Sequence, residues 1–159
     1  MGLWANTINK LQDVLEANIA SGQPLQVFRD LVVGEQEAVT SLKPPFLWLH
    51  LDTDPIIEDW HAAKDRKQAE FTCLVHVVVP IRKAARPYGV EGDSAQFGVL
   101  VGLADVMNVI DSNRSAIIAS DLDNVDMNLG VRAVVNQGNK DMNAIIAVTF
   151  LQQYGAGGR

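Results

Sequence analysis

Cysteine is almost missing from this 159-residue chain: Cys73 stands alone, so no disulfide framework holds the fold. Its place inside an apolar run makes it a small core hydrophobe rather than a nucleophile. Long apolar runs are missing too, each falling short of the roughly 18 residues a membrane helix needs. No basic segment leads into a long apolar one at the start. "MGLWANT" fails as an acylation signal because Asn6 stands where Ser or Thr is wanted. A protein made in the cytosol is the expectation. Basic residues are in deficit, 13 against 19 acidic, which argues against avid nucleic-acid binding by the surface as a whole. GxxxxGK, GxGxxG and GxSxG are absent, so nucleotide-binding and hydrolase readings lack their signatures. No enzyme and no cofactor are expected.

What the chain does have is apolar patterning, 48% of its residues. That suffices for one domain, expected over residues 1–154 with a flexible glycine-rich tail at 155–159, burying roughly 70% of the surface its unfolded form exposes. Trp4, Ile8, Leu11, Leu15 and Ile19 recur at spacings of three and four, the mark of an amphipathic helix. "SGQP" at 21–24 stops it, with Gly22 suited to a left-handed cap. Strands are predicted in "LQVFRDLVV", in "FLWLHLD", and in "KQAEFTCLVHVVVP" at 67–80, the longest. There Phe71, Cys73, Val75, Val77 and Val79 share one face. The polar stretch from Asp52 to Arg66 is predicted to be a loop. A second helix is predicted from an N-cap at Asp93 or Ser94 to about Asp111, then a short strand in "AIIASDLDNV", then a hairpin of "VRAVV" with "NAIIAVTFLQ". The order is α-β-β-β-α-β-β-β: an α+β fold, a mainly antiparallel sheet with two helices packed on it.

His50, Asp52 and His76 form the one tempting metal set, since the histidines lie on strands expected to pair. No ligand spacing supports it, and no metal is expected. "DLDNVDMNLGVR" at 121–132 fails as a calcium loop at Val125, Asp126 and Arg132. Acid pairs such as Asp52 with Asp54 read as solvated surface. Two basic clusters flank the longest strand: Lys64, Arg66 and Lys67 at one end, and Arg82, Lys83 and Arg86 at the other. They are solubilising loops or contacts to an acidic partner or DNA phosphate.

The second helix is apolar on too many sides. Phe97, Leu100, Val101, Ala104 and Met107 form one stripe, and Val99, Leu103, Val106 and Ile110 form another. Gly98 and Gly102 permit close approach to the sheet. The surplus apolar surface needs the first helix or a neighbouring subunit.

From "ANTINKLQDVLEANI" through "PFLWLHLD" and "AEFTCLVHVVV" to the helix at 93–111, the chain resembles the tail terminator proteins of long-tailed bacteriophages. The resemblance rests on element order and texture, because that family has no catalytic signature to match. It implies a structural virion protein at the tail-neck junction: a ring, typically a hexamer, that caps the tail tube, halts its polymerisation and offers the head a docking surface. The implied partners are copies of itself, the tail tube protein, a head-completion or neck protein, and DNA passing through the channel without sequence-specific binding. No membrane is implied. Candidate interface residues are Phe97, Leu100, Val101, Leu103 and Met107 with the two basic clusters. The rival readings are another head-tail connector component and a small-ligand module on the His50 and His76 face.

Overall fold

The structure, a computed structural model, describes residues 3–34, 42–52, 57–61, 66–80, 98–118, 125–137 and 141–155. Helix α1 (Leu3–Ile19) opens the chain and buries Leu11 and Leu15 completely. The helix ends at Ile19, and three residues on, in the turn that follows, Gly22 adopts φ +82, the left-handed conformation its missing Cβ allows. The next apolar residues do not extend into a strand as expected. Leu25 and Phe28 are three apart, and the turn closed by Leu25 N to Asn18 O and Phe28 N to Leu25 O sends both inward. Only β1 (Leu31–Val33) is extended. Gly34 follows at φ +121, again a glycine conformation.

β2 (Phe46–Leu51), β3 (Ile57–His61) and β4 (Arg66–Pro80) come next. β3 corrects the expected loop between Asp52 and Arg66. Its five residues pair antiparallel with the first part of β4, from Ile57 opposite Glu70 to His61 opposite Arg66. "IEDWH" carries no clean alternation; its partner strand, not its own pattern, makes it a strand. The second helix is also shorter than expected. α2 spans Val99–Ser112 behind Gly98, whose extended backbone forms the N-cap without a side-chain bond. Phe97 precedes that cap and lies outside the described residues, as do Asp93 and Ser94.

A further correction follows α2. The first three residues of the predicted short strand, 116–118, belong instead to α3 (Arg114–Ile118), and 119–124 lie outside the described residues. Asn113 binds Val109 O through both its backbone N–H (3.2 Å) and its Nδ2 (2.8 Å). Its carbonyl then accepts from Ala116 and Ile117, so one residue ends one helix and starts the next. Ile117 is fully buried. β5 (Val125–Gln137) and β6 (Asp141–Gly155) form the expected hairpin, with longer arms. Gly155 belongs to β6, opposite Arg66, and 156–159 lie outside the described residues.

The observed order is α-β-β-β-β-α-α-β-β. The sheet runs β1-β2-β4-β6-β5, with β3 pairing β4 beyond the end of β2. It is mixed: only β1 with β2 is parallel. β4 and β6 form the spine, fifteen residues each and paired along their whole length. On one face Phe71, Cys73, Val75, Val77 and Val79 meet Phe150, Val148, Ile146, Ala144 and Met142 across the ladder, all buried. Leu11 and Leu15 of α1, Val99, Val106 and Ile110 of α2, and Ile117 of α3 complete this core. Each such side chain contributes about 1.5–3 kcal/mol by leaving water.

The sheet is coiled. Asp52 N bonds Thr72 O, placing Asp52 in one row with Thr72, Thr149 and Asn128. Arg132, the extra residue of a bulge in β5, lies four positions beyond Asn128. In a flat sheet the two would be separated by about 14 Å across and about 13 Å along, more than both side chains span. Yet Arg132 Nη1 lies 2.5 Å from Asp52 Oδ2. Only strong coiling brings the borders of the sheet so close.

Candidate functional site

The second face of the spine carries the densest polar chemistry. β2 and β4 pair so that Trp48 stands opposite His76 and His50 opposite Leu74. The two histidines are therefore diagonal neighbours, within reach of long side chains. Their Nε2 atoms are 2.8 Å apart. Asn143 of β6 lies opposite Val78, and its Nδ2 donates to His76 Nδ1 at 2.9 Å. His50 Nδ1 is 3.1 Å from the Leu51 carbonyl oxygen.

Trp48 covers the pair, its ring 4.3 Å from that of His50 and 4.4 Å from that of His76. Its indole N–H donates to Gly34 O at 2.7 Å. The group thus joins β2, β4, β6 and the end of β1. His76 and Asn143 are buried, and Asn143 Oδ1 has no hydrogen-bond partner. Burial, then the neighbouring His50, lowers the His76 pKa from its ordinary 6.5 to about 4.

The expected metal set does not assemble. His50 and His76 meet, but Asp52 turns to Arg132. Among the described residues no three His, Cys, Asp or Glu side chains are grouped to hold a metal ion. Cys73 is buried on the opposite face, where burial pushes its thiol up to about 12. It stays protonated at neutral pH and has no nucleophilic character.

The interface candidates scatter. Leu103 is 7% exposed and belongs to the chain's own core. Met107 packs against that core from the edge, and Val101 is half-buried. Leu100, 44% exposed, and Ala104 form the outward side of α2. α1, α3 and the sheet all pack on α2, so its second stripe is used within the chain's own core. Arg66 and Lys67 begin β4, opposite Gly155 and Tyr154 of β6. Phe97, Lys64, Arg82, Lys83 and Arg86 lie outside the described residues.

Sequence reasoning missed Asn143, Trp48 and Arg114. Asn143 had a signal, a lone amide in the apolar run "MNAIIAV". Arg114 had none: it binds Asp111 Oδ1 through Nη2 at 3.2 Å and the Met127 carbonyl through Nη1, tying α2, α3 and β5 together.

No protein-family model matches the chain, and no curated protein matches it. No described helix is long and apolar enough to cross a membrane.

Proposed function

We propose that this chain is a structural virion protein of the tail-terminator kind, a subunit whose ring caps a phage tail tube, stops its polymerisation and presents the surface to which the head joins. The observation that carries the reading is the arrangement of elements. An N-terminal helix, a mainly antiparallel sheet, a helix laid over one face and closing strands are what the resemblance leads one to expect; the long loop expected before the longest strand is the exception, since β3 forms there. Such a protein acts by binding, without turnover, metal or nucleotide.

Two surfaces suit a ring contact: the outward side of α2 at Leu100 and Ala104, and the border strand β5, where Val131 is 49% exposed. A neighbour laid on either covers apolar surface that the subunit leaves in water. The net charge of −6 is compatible with a channel through which DNA slides.

Electron microscopy of a lysate lacking the gene is the test. Heads and tubes should both form but fail to join, and the tubes should overrun their normal length, because an uncapped end keeps adding subunits. Infectious particles of normal tail length would overturn the assignment. Charge reversal at Lys64, Arg66 and Lys67, or at Arg82, Lys83 and Arg86, should weaken docking in a salt-dependent way while the ring persists.

A further inference from the structure

The geometry points to a proton-controlled latch: His50, His76 and Asn143 hold β2, β4 and β6 together while both rings are neutral, and acid releases that hold. The hydrogen bonds run in one direction. Asn143 Nδ2 donates to His76 Nδ1, which makes Nδ1 the bare nitrogen of that ring. The His76 proton then sits on Nε2 and donates to His50 Nε2. His50 keeps its own proton on Nδ1, facing the Leu51 carbonyl oxygen. One proton per ring satisfies all four ring nitrogens.

An added proton disturbs the set wherever it lands. On His50 Nε2 it sets two N–H groups head to head at 2.8 Å. On His76 Nδ1 it meets the Asn143 N–H, unless the amide turns over to present Oδ1. That turn gives Oδ1 the partner it lacks but leaves the amide N–H without its acceptor in a buried position. The second route places charge among buried groups. Apart from the two rings, the described titratable or charged groups nearest along these strands are Asp52, engaged by Arg132 of β5, and Asp141, two residues before Asn143 in β6. The neighbouring positions on this face of β4, Thr72, Leu74 and Val78, are uncharged.

His76 therefore binds less proton in the folded chain than in the unfolded one between about 6.5 and about 4. The latch is at full strength above that window. Within it, each unit of acidification weakens the folding equilibrium about tenfold. The β1 and β2 border should loosen first, because β1 pairs through three residues and Trp48, stacked on the His50 ring and tilted against that of His76, is its side-chain tie through Gly34.

The test is a pH titration of the full 159-residue chain, followed by long-range 1H–15N histidine spectra and by amide hydrogen exchange corrected for intrinsic rates. His76 should be the Nε2–H form at pH 7 and still uncharged at pH 5.5. The Gly34 amide, bonded to Leu49 O, should lose protection between pH 7 and 4.5 while the amides of Phe71 and Phe150 keep theirs. A His76→Leu variant should lose this pH dependence; if it does not fold, the wild-type spectra decide alone. A charged His76 in the folded chain at pH 6, or Gly34 protection unchanged down to pH 4.5, overturns the latch. So does displacement of the Nε2 proton by one equivalent of Zn2+ at pH 7, which would make the pair a metal site.

Discussion

One strand, β4, builds both faces of this sheet, and the two faces are held by different physics. Residues 71, 73, 75, 77 and 79 are uniformly apolar and meet an equally apolar row on β6. Their contributions are non-directional and roughly additive, so any of them can be trimmed at a cost set by lost area and cavity. Thr72, Leu74, His76 and Val78, one step out of phase, face a group whose members come from three strands. There a hydrogen bond has value only while its partners are complete. The first face sets how stable the protein is; the second sets when.

The largest effect should come from the apolar face. Phe150→Ala removes a fully buried ring whose centroid lies 5.2 Å from that of Phe71. It should cost about 3–5 kcal/mol in urea unfolding. The loss should be the same at pH 7 and pH 5, since no proton is involved. Gly102→Leu comes next: Gly102 is buried on α2, and a side chain there must push the helix away from its neighbours, at about 1–3 kcal/mol. An unchanged melting temperature would mean that α2 packs in another orientation.

Asn143→Leu sharpens the contrast from the polar side. It leaves His76 Nδ1 without a donor, yet it also removes an unpartnered buried oxygen. The two effects oppose each other, and the net loss at pH 7 should be about 1 kcal/mol. A loss as large as that of Phe150→Ala would mean that the faces do not differ in kind.

The apolar face was legible in the sequence because period-two alternation is written within one strand. The positions from Phe71 to Val79, and the hairpin of the last two strands, follow from local pattern alone. The same logic placed Leu11 and Leu15 inward. What escaped is what a partner determines. β3 is a strand because β4 lies beside it, and its charged sequence conceals this. α3 forms because Asn113 caps one helix and opens another, where "AIIA" by itself suits a strand equally well. The histidine pair was suspected from expected strand pairing, but with Asp52 as the third member. Asn143 holds that place, because a strand between β2 and β5 could not be assigned without the sheet order. Nor did the sequence show that Asp52 is drawn away to Arg132, since their closeness depends on how the whole sheet coils.

That last contact should have the smallest effect, although it spans the sheet. Arg132→Ala breaks a pair whose arginine side chain is 45% exposed. Water and salt screen the pair from the arginine side, although the Asp52 side chain is only 11% exposed, and fixing a long side chain costs entropy, so it should contribute about 1 kcal/mol or less. The loss in a urea titration should shrink further in 0.5 M salt. The coil itself is set by strand twist, by the bulge at Arg132 and by the packing of Phe71, Phe150 and Met127 on the opposite face. Arg132 would then record the coil rather than cause it. Cutting the bridge should leave the His50 and His76 histidine spectra unchanged at pH 7. If Arg132→Ala instead costs 3 kcal/mol or more and disturbs those spectra, the ion pair holds the curvature that brings the polar face together. The two faces would then have to be treated as one coupled unit.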